Sequence, residues 1–218
     1  MDLRAGSEPE QRAAAWIARR LGDAVSRRGT ATLALSGGAT AQPMIDALAE
    51  RDLPWRSVSI WQVDERIAPD RHGARNAIQL ERLSALPCRV RLMPVTAVDL
   101  RAAARRYAAT LPDRFDLVHL GLGTDGHTAS WPPGVEQIRE SSRPVELTGA
   151  FNGWRRMTLT RSVVNAARCR AVLAVGDSKR AVVERWLLED TSLPICGVRR
   201  TRTWVFLDDA AAPQVPPQ

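Results

Sequence analysis

Asp125 and His127 stand two residues apart in the turn Gly121-Leu-Gly-Thr-Asp-Gly-His127, directly after the apolar run Phe115–Leu120. A neutral imidazole is the side chain best suited to take a proton near pH 7, and His127 is read as a general base with Asp125 beside it. A second cluster is Ser36-Gly37-Gly38-Ala39-Thr40, a glycine-rich turn between an apolar run and a helical pattern. Such a turn can aim amide N–H groups at a ligand, and the helix N-terminus that follows favours an anion. Asp64-Glu65-Arg66 ends another apolar run. There Arg66 suits an anionic substrate and Asp64 suits the orientation of a base, although charge triplets are also common in exposed loops.

Of 31 basic residues, Lys179 is the sole lysine. Lysine is a compact point charge on a flexible stem and a frequent partner of phosphate. The other two histidines carry less: His119 lies within a strand and reads as a hydrogen-bonded core residue, and His72 sits in a charged loop with no clear task. Histidines and cysteines are too scattered for metal-ligand spacing, so no metal site is expected. The string Gly121-Leu-Gly-Thr-Asp-Gly126 matches the dinucleotide fingerprint G-x-G-x-x-G letter for letter. The fingerprint must open a helix, however, and Trp131-Pro132-Pro133 stops any helix almost at once.

The net charge of +7 raises the question of nucleic acid, but the positive residues are spread over the chain as pairs such as Arg19-Arg20, Arg27-Arg28 and Arg105-Arg106. These read as solvated helix faces, and an anionic small ligand is the better use of the field. No apolar run reaches membrane-spanning length, and Met1-Asp-Leu-Arg-Ala-Gly6 lacks a signal-peptide core. Cys88, Cys169 and Cys196 are few and odd in number, as free thiols of a reducing compartment would be. The expectation is a cytoplasmic protein that binds neither nucleic acid nor membrane, with no obligate protein partner evident.

The elements that must position these residues alternate between strand and helix. Ser7-Glu-Pro-Glu10 has the form of a capping box before a helix of about twenty residues that stops at Arg28-Gly29. Strands are predicted at Thr30–Leu35, Ser57–Val63, Val90–Leu92, Phe115–Leu120, Arg156–Thr160, Ala171–Val175 and Thr203–Leu207. Helices are predicted after Thr40, over Asn76–Leu83, Val98–Thr110 and Ser162–Arg168, and from a Ser178 cap to Glu189. Residues 131–156 read as loop with one edge strand, and the proline-rich tail Ala212–Gln218 as frayed. This alternation predicts a single α/β domain over residues 1–218, a mainly parallel central sheet with helices on both faces in a Rossmann-like three-layer sandwich. In a parallel sheet, the turns at Ser36–Gly38, Asp64–Arg66, Gly121–His127 and Gly176–Lys179 share one edge.

Taken together these segments resemble the glucosamine-6-phosphate isomerase/6-phosphogluconolactonase family, its lactonase branch most closely. The resemblance rests on Ser36-Gly37-Gly38-Ala39-Thr40, Asp64-Glu65-Arg66, Asn76, Gly121-Leu-Gly-Thr-Asp-Gly-His-Thr-Ala-Ser130, Arg156-Met-Thr-Leu-Thr160, Asn165-Ala-Ala-Arg168, Gly176-Asp-Ser-Lys179 and Trp204-Val-Phe-Leu-Asp208, in that order. It implies hydrolysis of 6-phospho-D-glucono-1,5-lactone, a phosphosugar lactone, without a cofactor. It implies His127 as general base, Thr40 and the glycine loop as phosphate contacts, and Lys179 as a phosphate-binding lysine.

The chain departs from the family pattern at Ala41-Gln42-Pro43, at Trp131-Pro132-Pro133-Gly134 and at Arg75 before Asn76. These departures bear on substrate preference and loop shape. The alternatives are the amino-sugar-phosphate isomerase/deaminase branch and a non-catalytic sugar-phosphate-binding protein. Against the isomerase branch, Thr128-Ala129-Ser130-Trp131-Pro132 supplies no glutamate to support the histidine.

Overall fold

The computed structural model describes residues 1–135, 138 and 141–214. In chain order the strands are β1 (Asp2–Arg4), β2 (Ala31–Leu35), β3 (Val58–Gln62), β4 (Asp64–Arg66), β5 (Arg89–Arg91), β6 (Leu117–Gly121), β7 (Val145–Phe151), β8 (Trp154–Leu159), β9 (Cys169–Ala174) and β10 (Thr203–Leu207). The helices are α1 (Pro9–Arg28), α2 (Ala41–Ala49), α3 (Glu81–Ser84), α4 (Leu100–Ala108), α5 (Arg161–Ala166) and α6 (Arg180–Leu187). Seven strands form a parallel sheet in the order β1-β10-β9-β6-β2-β3-β5.

Both faces of this sheet are covered, which is why its strands read as unbroken apolar runs. Leu33, Leu35, Ile60, Leu117 and Leu173 face α1, α2 and α3 and meet Ile17, Leu21, Met44 and Leu83. Ala34, Val118, Leu120, Val172 and Val205 face the other way, onto Ala103, Tyr107, Val164, Val183 and Trp186 of α4, α5 and α6. The expected α/β sandwich is therefore present. The short strand β1 adds to the edge of the sheet beside β10, where the sequence offered no apolar pattern to mark it.

Three local expectations are corrected. Helix α1 has the expected length but no capping box: Glu8 takes the N-cap position in the left-handed region, φ 50°, and no side chain caps it. Pro9 opens the helix instead, and the Arg12 guanidinium gathers the carbonyls of Arg4, Ala5, Gly6 and Ser7 and, from β10, Leu207. Ser178 does not cap α6; it lies in a 3-10 turn, Asp177–Lys179, and Lys179 holds the N-cap position. Residues 131–156, read as loop with one edge strand, contribute β7 and, at their end, the start of β8, antiparallel partners in a second sheet with β4. Part of that stretch (residues 136, 137, 139 and 140) and the last four residues of the tail lie outside the described residues.

Candidate functional site

The second sheet decides where the Asp64–Arg66 triplet goes. The chain leaves β3 after Gln62, crosses at Val63 and pairs with β8, so that Asp64 lies opposite Thr158 and Arg66 opposite Arg156. Glu65 is wholly buried between the sheets and acts as a staple. Its carboxylate accepts from the Gln62 side chain (2.9 Å), from the amides of Arg66 (2.8 Å), Asn76 (2.7 Å) and Ala77 (2.8 Å), and pairs with the buried Arg75 at 3.1 Å. A buried carboxylate is tolerable only with its oxygens satisfied in this way. The staple fixes Asn76, whose Oδ1 accepts from Arg66 at 3.0 Å while the Ala74 carbonyl accepts from the same guanidinium at 2.6 Å.

A cavity opens at the C-terminal edge of the parallel sheet, between the two sheets. Ser36, Gly37, Gly38 and Thr40 border it on one side, Asp64, Arg66 and Arg156 on another, and His127 and Lys179 on a third. All four predicted turns therefore reach one site, and of the nine residues singled out in the sequence only Asp125 is not in its wall. Asp125 stands just behind: its Oδ1 accepts from the His127 ring at Nδ1 (2.5 Å) and from the His127 amide (3.1 Å). Partial burial pushes the Asp125 carboxyl up, but the His127 amide and ring outweigh this and hold it below its ordinary value. The imidazole also makes a T-shaped contact with Phe151 at the end of β7, with centroids 4.9 Å apart.

Asp64 does not touch the imidazole. Its Oδ2 accepts from the Ser130 hydroxyl at 2.6 Å and lies 3.8 Å from the Arg156 guanidinium. Burial raises its pKa, against the pull of Ser130 and Arg156. Ala129, with φ 50°, turns the chain so that Ser130 faces inward after His127. Arg156 is almost buried at 4% exposure and borders the cavity. In the sequence it falls in a matching motif and a predicted strand, with no site role given to it.

At the glycine loop, Gly38 has φ +114°, a conformation glycine adopts without penalty. Its carbonyl closes the first turn by accepting from the amides of Ala41 and Gln42. The Gly38 amide is engaged by Gln79 Oε1 at 2.6 Å, an interaction across 41 residues that no local pattern announces. The amides of Gly37, Ala39 and Thr40 make no hydrogen bond among the described residues, and neither does the Thr40 hydroxyl. Lys179 is half-buried across the cavity; burial lowers its pKa, with the Asp125 charge acting the other way. Among the described residues, no three His, Cys, Asp or Glu side chains group as metal ligands would.

This arrangement joins an oriented imidazole to a glycine loop with unengaged amides and an ammonium. A family model described as glucosamine-6-phosphate isomerases/6-phosphogluconolactonase matches residues 5–207. The chain belongs to this family. Among relatives, a 6-phosphogluconolactonase of Synechocystis sp. is 32% identical over 185 residues, 78% of this chain and 77% of that protein. One of Streptomyces coelicolor is 33% identical over 235 aligned positions, 94% of this chain and 89% of the other. The crystal structure of a 6-phosphogluconolactonase from Shewanella baltica superposes with a TM-score of 0.85 at 28% identity, covering 95% of this chain and 97% of that one. Family membership accounts for the fold and for the order of the motifs. No helix among the described residues is long and apolar enough to cross a membrane.

Proposed function

We propose that this chain hydrolyses 6-phospho-D-glucono-1,5-lactone to 6-phosphogluconate, a step of the oxidative pentose phosphate pathway, in the cytoplasm. The observation that carries the reading is the shared cavity, whose wall holds His127, paired with Asp125, together with Lys179 and the unengaged amides of Gly37, Ala39 and Thr40. The names of the relatives favour the same substrate class.

The chemistry follows from the pair. With Nδ1–H donated to Asp125, His127 Nε2 carries the lone pair. A water molecule held between Nε2 and the lactone carbonyl gives its proton to Nε2 as its oxygen bonds to C1. Charge that develops on the carbonyl oxygen needs a donor, and Arg66 or Arg156 at the cavity wall supplies one. Collapse of the tetrahedral intermediate breaks the bond between C1 and the ring oxygen. The imidazolium returns its proton to that oxygen, and the new carboxylic acid ionises to solvent. Water is the one co-substrate. The phosphate, gripped by the loop amides, Thr40 and Lys179, turns remote binding energy into orientation of the carbonyl.

The test is turnover of freshly generated lactone, corrected for its spontaneous hydrolysis, beside ammonia release from glucosamine 6-phosphate. The reading expects acceleration of the first and none of the second. Ammonia release would move the chain to the isomerase/deaminase branch. Tight binding of 6-phosphogluconate without turnover would make it a non-catalytic sugar-phosphate binder.

A further inference from the structure

His119 is wholly buried, yet among the described residues neither ring nitrogen makes a hydrogen bond of normal geometry, only the Ser36 backbone lying near enough to act on the ring. The sequence reading of a hydrogen-bonded core histidine is therefore corrected: the residue is core, but it is unsatisfied. A buried polar group without a partner costs about 1–3 kcal/mol, so a native protein that keeps one usually uses it. Ser36 shows the same thing beside it. Its hydroxyl is buried and, among the described residues, unpartnered, and its amide donates to the His119 carbonyl at 3.2 Å.

The register shows where the two side chains lie. On β6, residues 117 and 119 share a face, and Leu117 packs on the α1/α2 side. His119 pairs with Leu35 of β2 and Ala171 of β9, directly before the Ser36–Thr40 loop and the start of α2. Both His119 and Ser36 are among the residues that border the cavity, together with Gly37 and Thr40. The site thus joins a nine-residue helix N-terminus, loop amides without partners and two buried side chains that can donate.

We propose that His119 and Ser36 form the floor of the phosphate-binding end of the cavity, where the His119 ring N–H and the Ser36 hydroxyl donate to phosphate oxygens of the bound ester. His119 is thereby a binding residue that sets preference for the phosphorylated sugar, distinct in role from His127. This rests on the lactonase reading only for the identity of the ester, because the recognised group is a phosphate monoester. Burial, which the nearby Ser36 backbone opposes only in part, pushes the imidazole down to about 4, so at neutral pH it is an uncharged donor and acceptor. Gly38 lends no amide to the same anion, since Gln79 holds it.

The experiment measures binding of 6-phosphogluconate, gluconate and inorganic phosphate by calorimetry to the wild type, His119→Leu and His119→Gln, alongside lactone turnover. The expected result is a loss of roughly tenfold or more in affinity for 6-phosphogluconate and phosphate in His119→Leu, a raised KM with kcat nearly kept, and partial rescue by the donor in His119→Gln. Gluconate binding is expected to stay weak and unchanged. A measurement without substitution accompanies it. The chain has 3 histidines, so their ring nitrogens resolve by 15N NMR; saturation with inorganic phosphate should move the His119 signals and leave His72 in place.

A folded His119→Leu with wild-type affinity, or His119 signals that ignore phosphate, overturns the inference while wild-type turnover keeps the lactonase reading. Phosphate binding that depends on His119 in a chain without turnover does the reverse.

Discussion

Gly123 and His127 share one small volume. The Gly123 amide donates to the His127 carbonyl at 2.8 Å, and a methyl group on Gly123 would overlap Nδ1 of the ring and come within 2.6 Å of Asp125 Oδ1. The Asp125–His127 pair thus exists in its observed geometry only above a glycine. Gly123→Ala is expected to lower kcat for lactone hydrolysis by roughly 10²-fold, the order that misplacing a reacting group by about 1 Å costs. KM and 6-phosphogluconate affinity should change little. Steady-state kinetics with a thermal melt to confirm folding checks this, and an unchanged kcat would show that the ring tolerates displacement.

Lys179 carries the second prediction. It borders the cavity from the turn before α6, where the Asp125 charge acts on its ammonium, but it makes no hydrogen bond to the Asp125–His127 pair. Lys179→Met should raise KM by roughly 10–100-fold with kcat nearly kept, in line with loss of a charged hydrogen bond. Lys179→Arg should rescue only part, because a planar fork does not replace a point charge. A collapsed kcat at normal KM would place Lys179 in the chemistry instead of the anchor.

Glu65 yields a stability prediction with a functional echo. Glu65→Gln leaves Arg75, 6% exposed, without its buried counter-charge. Breaking one partner of such a pair costs about 3–5 kcal/mol. Denaturant unfolding should show a loss of that order. Activity should fall as well, because the staple positions Asn76, and Asn76 holds Arg66. Wild-type stability in this variant would mean that Arg75 finds another partner.

Much of this frame was legible in the sequence, for a physical reason. Strands covered on both faces read as apolar runs, so β2, β3, β6, β9 and β10 announced themselves, and their parallel arrangement implied that the turns after them share an edge. What was not legible depends on distant partners. β4 and β1 have three residues each, too few for a period, and each exists because of the strand beside it. Glu65 looked like one charge of an exposed triplet until Arg75 and Asn76, ten and eleven residues on, closed over it. Gln79 on the Gly38 amide, Arg156 at the cavity wall and the unpartnered His119 likewise depend on packing that composition and periodicity do not encode.

Acid should expose His119. Its folded value of about 4 lies below the ordinary 6.5, so the fold favours the neutral ring. The contribution is complete above pH 6.5 and is lost as pH falls toward 4. Between pH 6.5 and pH 5 the ligand-free wild type should lose about 1.5 kcal/mol relative to His119→Leu, a fall of roughly 3–6 °C in the wild-type Tm relative to that of the variant. Asp64 has the opposite sign. Its raised value means that ionisation costs stability as pH rises, so the stability of Asp64→Asn relative to wild type should improve from acid to neutral pH. A Tm difference between wild type and His119→Leu that does not vary with pH would contradict the burial of an unsatisfied imidazole.

The most direct measurement is the rate of hydrolysis of freshly generated 6-phosphogluconolactone by wild type and by His127→Ala, with 6-phosphogluconate affinity measured on both. A positioned general base contributes about 10²–10⁴-fold. The expected result is a wild-type rate far above spontaneous hydrolysis, a His127→Ala rate reduced by at least about 10²-fold, and product affinity preserved. A wild type no faster than water, or a His127→Ala variant as fast as the wild type, would contradict the assignment of proton transfer to His127.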